Sequence, residues 1–379
     1  MASWDLEPQS TLRPRGPSRA GSSPSARLVV LCAAAAAAVL AAAAVAQSAP
    51  PRRLDTPHLS EIARASEPIP DSALSPQGLS RLIPGNFWGG VYRSSTGENV
   101  TIYASTAYPQ DPALGQKWAD FLSTLVHGPE LSAVTVFLAP ETQIGRVCGT
   151  EALACYSGDD HVLISPGEDP DTSISAEAVI THEYGHHIAA SRSNAPWSAL
   201  DYGTKRWASA INVCTRARTG QLFPGSEQFP QYQLNPGEGF AESYRVLNER
   251  KAGIPETPWQ IVSDALYPDS TALAALDQDV ISPWQAPAAT TRTGRFTRAS
   301  RVRTFTIATP LDGSLRVSAR ASTGTRVALD VFAGSSRLVH TTGAATVART
   351  QTICGQRSLR VRVTETRGIG TFRLTVSKP

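Results

Sequence analysis

The sequence contains no internal repeat and no signature of a nucleic-acid-binding module. These absences exclude a repeat architecture and argue against a nucleic-acid partner. Charge is also scarce, since charged residues make up only 18% of the 379 residues and the net charge is +3. Hydrophobic residues account for 41%, a share typical of a globular protein. The chain is long enough for two domains and a targeting segment.

One stretch, residues 28–46, lacks charge altogether and is mostly alanine. The preceding residues 1–27 are polar, with four Arg against two acids, and are predicted to be a cytoplasmic n-region. The stretch ends in Ala-Val-Ala, an A-x-A pattern that a signal peptidase can cut. Residues 28–46 are therefore predicted to be either a signal-peptide core or an uncleaved membrane anchor, although alanine makes a weak span.

Either interpretation predicts that residues 47–379 are exported. The protein would then be secreted, or anchored to the cytoplasmic membrane with the rest of the chain outside. Contact with a membrane is expected only through residues 28–46, if that segment stays uncleaved.

Cysteine is rare, with five residues, of which Cys32 lies in the apolar stretch. The other four form an even number, as disulfides require. Cys148 and Cys155 flank a short loop with a glycine, which favours a bridge between them. Cys214 and Cys354 would then pair and tie the end of the chain to the part before it. The alternative is that two thiols are free and buried.

The chain after residue 46 divides into three parts by composition. Residues 47–84 are rich in Pro, Ser and Ala without a sustained period and are predicted to be a linker. Residues 85–285 mix strand and helix patterns, and residues 291–379 show short alternating strands typical of a small antiparallel β-sandwich. The predicted fold class is α+β. Strands are expected over 91–105, Ala133–Leu138 and His161–Ser165, and helices over Pro112–Val126, Ser175–Arg192, 204–219 and 236–250, with Ser173 or Ser175 capping the second of these helices.

Charge divides at the same boundary. Residues 291–379 hold 15 Arg and one Lys against three acids, a net +13, whereas residues 47–290 carry a net −12. Three explanations are open: an arginine-rich composition on solvated strand faces, docking of the basic part on the acidic part, or docking onto anionic cell-envelope polymers.

The segment His182-Glu183-Tyr184-Gly185-His186 fits the pattern H-E-x-x-H in the middle of an expected helix. Four residues are just over one helical turn, so both imidazoles face the same way and can hold one Zn²⁺. Glu183 lies beside the first histidine, where its carboxylate can take a proton from a metal-bound water. The preceding strand, His161–Ser165, is expected to be the edge that aligns a substrate. The alternative is that these side chains face solvent or satisfy polar neighbours.

Two other histidines lie near this motif. His187 points about 100° away from His186 around the helix and is predicted to be a core residue or a support for the site. His161 is predicted to be a surface histidine, with a position facing the cleft as the alternative.

A zinc site of this kind needs a third ligand, and the sequence has no histidine six residues after His186. A downstream acid is therefore required. Glu238, at the start of an expected helix, is the first candidate, and Asp201 is its rival. Glu242 follows one turn after Glu238 and is expected to support a ligand histidine. The alternative is that Glu238 and Glu242 are ordinary surface acids.

The H-E-Y-G-H-H helix and the later E-G-F-A-E segment together resemble the gluzincin-type zinc metallopeptidases, and the second motif is similar in form to that of anthrax lethal factor. The resemblance implies a zincin-like fold for residues 85–285 and zinc as the cofactor. It also implies that His182, His186 and Glu238 are the ligands and that Glu183 is the catalytic base.

Lethal factor also has a tyrosine, a few residues before its ligand glutamate, that stabilises the oxyanion. Tyr232 stands six residues before Glu238, one residue away from that spacing, and is the corresponding candidate here. Residues 291–379 resemble the pre-peptidase C-terminal β-sandwich of many secreted bacterial peptidases.

The predicted function is hydrolysis of a protein or peptide substrate by zinc-activated water outside the cytoplasmic membrane. Two alternatives remain open. One is a non-catalytic binding protein that keeps the zincin fold, and the other is a zinc hydrolase of a non-peptide amide in the cell envelope.

Overall fold

The computed structural model describes residues 86–149, 152–170, 174–259 and 261–379.

Most of the N-terminal predictions lie outside these residues, namely the n-region 1–27, the apolar segment 28–46 and the linker 47–84, as does the candidate cap Ser173. All the described residues fall within one compact unit. Among the described residues, none of the helices combines the length and the apolar character that a membrane span requires.

The first sheet has five strands: β1 (Phe87–Arg93), β2 (Asn99–Ser105), β3 (Thr135–Leu138), β4 (Cys155–Ser157) and β5 (Val162–Ser165). Their spatial order is β1-β2-β3-β5-β4. Strands β2, β3 and β5 run parallel, and β1 and β4 are antiparallel to their neighbours. The strand predicted as the edge therefore forms as β5 but lies inside the sheet. The edge strands are β1 and β4, and β4 is only three residues long, too short to show an alternating pattern.

The described residues contain eight α-helices: α1 (Pro112–Leu122), α2 (Glu141–Cys148), α3 (Ala176–Ala190), α4 (Ala199–Tyr202), α5 (Lys205–Ala210), α6 (Val213–Arg218), α7 (Pro236–Ala252) and α8 (Ser270–Ile281). The single helix predicted over 204–219 is in fact two, α5 and α6. Asn212 adopts a left-handed conformation between them, with φ 58°, and so interrupts the helical path. Helices α2, α4 and α8 were not expected from the pattern.

Helices α3 and α7 pack against each other at Gly185. A Cβ atom on this residue would lie only 2.8 Å from the Cα atom of Ala241, so a larger residue would force the helices apart. Ser175 caps α3 by accepting a hydrogen bond from the Ala178 amide. Asn235 caps α7 in the same way, and Pro236 takes the first helical position. The glycine inside the H-E-x-x-H motif thus brings α7 close to the two histidines.

The rest of the chain folds as two four-stranded antiparallel sheets, in the orders β10-β9-β12-β7 and β11-β8-β13-β6. Burial alternates along the strands, as Leu315 and Val317 point inward while Arg316 and Arg320 point outward. The sandwich has its own hydrophobic core, separate from that of the preceding part. The predicted antiparallel β-sandwich and the α+β class are therefore confirmed. The strands are β6 (Ala288–Arg295), β7 (Val302–Ala308), β8 (Gly313–Ala321), β9 (Arg326–Ala333), β10 (Ser336–His340), β11 (Thr346–Ile353), β12 (Ser358–Arg367) and β13 (Thr371–Lys378).

Both predicted disulfides are present. Cys148 at the end of α2 bonds to Cys155 at the start of β4, and Cys214 in α6 bonds to Cys354, which follows β11. The alternative of free thiols is therefore wrong for these four cysteines. The first bridge holds the edge strand of the first sheet, and the second ties the sandwich to α6.

Hydrogen bonds to uncharged acceptors accompany the second bridge at this junction. The Lys205 ammonium donates to the carbonyl of Asp312 at 3.0 Å, and Arg357 donates to the carbonyl of Ser209 at 2.6 Å. The Asp312 amide donates to the Ser209 hydroxyl at 2.9 Å. No ion pair in the described part of the chain joins the two sides. Arg–carboxylate pairs of the kind that charge-driven docking requires are thus missing from the described junction.

Candidate functional site

Helix α3 carries both histidines of the motif on one face. His182 and His186 lie one turn apart, with ring centroids 5.0 Å from each other. His182 is buried, and Glu183 is only 9% exposed. The alternative that these side chains face solvent is therefore wrong. Helix α3 sits against the sheet through Ile180 and Ile188, which are fully buried, so its opposite face is free to form a site.

Helix α7 places Glu238 directly across from these histidines. Its Oε2 atom lies 3.3 Å from Nε2 of His182 and 3.3 Å from Nε2 of His186. One ligand atom from each of the three residues lies within 4.8 Å of the others. Two imidazoles and one carboxylate are a donor set that holds catalytic zinc and leaves a fourth position open.

The rival acid, Asp201, does not join this cluster. It lies on the short helix α4 and lines the same cleft as Glu238. The geometry favours Glu238, because its carboxylate is the one that both imidazole nitrogens approach.

Behind the cluster, Glu242 supports His182. Its Oε2 atom lies 3.2 Å from Nδ1 of His182, on the opposite side of the ring from Glu238. Arg245 donates to both oxygens of Glu242, at 2.6 and 3.0 Å, and also to Glu249, at 2.8 and 2.7 Å. These three residues are buried, so each charge has its partner inside the protein. Neither Glu238 nor Glu242 is an ordinary surface acid.

Sequence reasoning missed the ion pairs that extend beyond Glu242. Arg245 and Glu249 stand three and seven residues after it on the same helix, a spacing that keeps side chains on one face. The alternation of acid, base and acid along this face of α7 was the sequence signal that could have revealed these ion pairs behind His182.

The electrostatics of the site are set by burial and by these close neighbours. Burial alone would lower the pKa of His182, but hydrogen bonds to Glu238 and Glu242 outweigh it and raise the pKa to about 10. Burial would raise the pKa of Glu238, yet His186 and His182 hold it below its ordinary value. Burial raises the pKa of Glu183 despite the opposing effect of both histidines. The carboxyl groups of Glu183, Glu238 and Glu242 thus surround the two imidazoles, an arrangement that favours a bound cation.

The hydroxyl of Tyr232 points at the ligand set. It donates a hydrogen bond to Oε2 of Glu238 at 3.1 Å, and the residue is buried. Burial raises the pKa of this hydroxyl well above its usual range, and the charge of Glu238 adds to the effect. The role of Tyr232 as an oxyanion donor stays a prediction, since this contact also suits a residue that holds Glu238 in place.

His187 is fully buried, as expected for a core residue. Its Nε2 donates to the carbonyl of Glu130 at 2.9 Å, which leaves Nδ1 to accept from the Tyr156 hydroxyl at 3.0 Å. Nδ1 of His161 lies 3.0 Å from the same hydroxyl. His161 is therefore half-buried and tied to Tyr156 rather than a free surface histidine.

A cleft with a volume of ≈ 120 Å³ opens beside the three candidate ligands. The edge strand β4 contributes Cys155 and Tyr156 to one wall, and α3 contributes both histidines and Glu183. The cleft continues into an apolar region on the N-terminal side of His182. That region is lined by Leu153, Ala154, Ile174, Ala178, Val179 and Ile261.

Comparisons with known proteins do not assign a family. No protein-family model matches the chain, and no curated protein matches it. One solved structure with some likeness is the pre-peptidase C-terminal domain of a collagenase from Bacillus anthracis, at 16% identity and a TM-score of 0.20, covering 23% of this chain and 87% of that one. Another is a family GH115 4-O-methyl-α-glucuronidase, at 11% identity and a TM-score of 0.16, covering 67% of this chain and 42% of that one. Both likenesses are too weak to assign a function to this chain.

Proposed function

We propose that this protein is an exported zinc metallopeptidase with a zincin-like catalytic domain. The observation that carries the proposal is the convergence of His182, His186 and Glu238 from two helices, with Glu183 beside them in one cleft. His186 and Glu238 are distant in the sequence, yet they meet with nitrogen and oxygen 3.3 Å apart.

The residues present fit zinc by their chemistry. Nε2 of His182, Nε2 of His186 and Oε2 of Glu238 would hold the ion, and Glu242 fixes the ring of His182 from behind. When bound, zinc supplies polarisation of a substrate carbonyl and makes water acidic near neutral pH.

Glu183 is the group that moves a proton. It adjoins His182 in sequence, lines the cleft and is almost fully buried. Its carboxylate would accept a proton from the attacking water and then deliver it to the leaving nitrogen. Burial raises the pKa of this carboxyl above its ordinary value, which makes the carboxylate a better acceptor for the proton of water.

The cleft suits an extended polypeptide. Strand β4 lies at one edge of the first sheet and pairs there with β5. An extended peptide bound along this strand would lie beside the proposed ligands, because Cys155 and Tyr156 of β4 line the same cleft. The position of a strand in the wall of the cleft supports a peptide over another amide.

The test combines metal analysis with a digest. Residues 50–379, which include all the described residues, are purified without chelator and are expected to carry one zinc per chain by atomic absorption. Digestion of a broad peptide library, read by mass spectrometry, is expected to show cleavage that a chelator stops and added zinc restores. Zinc without any cleavage would favour a binding protein or a hydrolase of another amide, and absence of zinc would remove the metallopeptidase proposal.

Tyr232→Phe separates two roles for this tyrosine. Because its hydroxyl donates to Glu238, we expect the variant to bind zinc about 10–100-fold more weakly, as loss of an outer partner of a metal ligand does. Zinc affinity is measured by competition with a chelator of known strength. Unchanged affinity with a fall in kcat would instead assign the hydroxyl to the oxyanion.

A further inference from the structure

One end of the sandwich is formed by four loops that carry several arginines. The strands alternate in direction, so the loops 296–301, 322–325, 341–345 and 368–370 meet at the end opposite Cys354 and the junction. We call this the distal end. Eight of the 15 arginines after residue 290 lie within these loops or within three residues of them, namely Arg295, Arg298, Arg301, Arg303, Arg320, Arg326, Arg367 and Arg373.

Acids do not balance this charge. Within the same stretches the sequence has a single acid, Glu365, which is buried and lies 3.5 Å from Arg301. Near the middle of one sheet, in contrast, Arg362 and Arg337 both pair with Asp330. The distal stretches therefore carry a net charge of +7, and the rest of residues 291–379 carries +6.

Two pairs of these arginines stand directly opposite each other on neighbouring strands. Arg320 of β8 faces Arg373 of β13, and Arg326 of β9 faces Arg367 of β12. Like charges in such positions destabilise a sheet. Within the described part of the chain, the four guanidinium groups have no ion pair with a carboxylate. A fold that keeps this repulsion without internal compensation indicates an anionic partner outside the molecule.

The distal end also exposes large apolar side chains among these cations. Ile369, in the loop between β12 and β13, is 47% exposed, and Val302, next to Arg301, is 44% exposed. Apolar side chains add nothing to the binding of a dissolved polyanion. They do favour a lipid bilayer, where an apolar side chain enters the boundary between headgroups and acyl chains while cations meet the phosphates.

We propose that the distal end of the sandwich docks on an anionic lipid bilayer. Ile369 and Val302 would enter the headgroup layer, and the surrounding arginines would contact lipid phosphates. Strand β12 is ten residues long, so the sandwich would hold the junction about 30 Å from the lipid surface. This surface is separate from the cleft, and the proposal does not depend on catalysis.

The test uses residues 50–379, because they include all the described residues, which fall within one compact unit, and omit the apolar segment 28–46, whose own binding to lipid would obscure the result. Flotation is measured with vesicles of one part phosphatidylglycerol to two parts phosphatidylcholine, and with pure phosphatidylcholine. Binding is expected only to the anionic vesicles, and it should weaken as salt is raised. Arg320→Ser with Arg373→Ser is expected to lower the partition coefficient about 30-fold, and Ile369→Ser about tenfold.

The matched control is Arg337→Ser with Arg360→Ser, which removes the same charge from the sandwich away from the distal end, and its binding should stay near that of the parent chain. An equal loss in the control would show non-specific attraction and overturn the proposal, as would absence of binding to anionic vesicles. Soluble polyphosphate tests whether the anionic partner is a dissolved polymer rather than a lipid bilayer. Tight binding to polyphosphate, with vesicle binding unaffected by Ile369→Ser, would mark a polymer-binding surface and also overturn the lipid assignment.

Discussion

Glu183→Gln is expected to lower kcat by about 10²–10⁴-fold while zinc stays bound and the fold is kept. Glutamine matches the shape of glutamate but cannot accept the proton of water. Its neutral side chain also avoids leaving an unpaired charge in a site that is only 9% exposed. Turnover is measured on a peptide identified in the library digest, zinc by atomic absorption, and folding by thermal melting.

Glu177→Gln is the matched control for this experiment. Glu177 lies in the first turn of the same helix, pairs with Lys117 at 3.4 Å and does not line the cleft. The same chemical change there should leave activity near that of the parent protein. Full activity in the Glu183→Gln variant would remove this residue from the mechanism and, with it, most of the support for a peptidase.

Glu238→Ala is expected to weaken zinc binding severely. The residue offers the only carboxylate in the cluster formed by the described residues, and its loss leaves two imidazoles to hold the ion. We expect zinc affinity to fall by more than the roughly 10–100-fold that removal of an outer partner of a ligand costs. Affinity is measured by chelator competition, and activity should be lost in parallel.

Asp201→Ala serves as its control, because this acid lines the same cleft but stands outside the cluster. Zinc binding is expected to be unchanged. If Asp201→Ala released zinc while Glu238→Ala kept it, the assignment of the third ligand would be wrong. Loss of zinc in both variants would contradict the expectation that Asp201 stands apart from the metal, and would indicate a cleft that rearranges around the ion.

The parts of the site that depend on one helix were predictable. The spacing of His182 and His186 places both imidazoles on one face of any α-helix, and the cap at Ser175 and the turn signals around Pro236 mark where the two helices begin. The paired cysteines followed from their number and from the short loop between Cys148 and Cys155. These features are set largely by neighbours within a few residues of each other along the chain.

The parts of the fold and the site that depend on contacts between distant segments could not be predicted uniquely. The sequence either left alternatives open or gave no signal for them. Glu238 and Asp201 were both acceptable as a third ligand, because sequence spacing does not say which acid reaches the histidines. The edge strand was placed at His161–Ser165, since three-residue β4 carries too little pattern to be seen. Arg245 and Glu249 were overlooked because their role exists only once Glu242 is buried behind His182.

The sequence by itself determined the local geometry of this protein: the helix with two histidines and a glutamate, the alternating strands of the sandwich and the pairing of its cysteines. Tertiary structure decided the rest, because it depends on which surfaces pack together. The contact of α3 with α7 at Gly185 selects Glu238, the pairing of β4 outside β5 makes the wall of the cleft, and the register of β8 with β13 sets Arg320 opposite Arg373. Periodicity specifies which face of an element a residue occupies, whereas only packing specifies what that face meets.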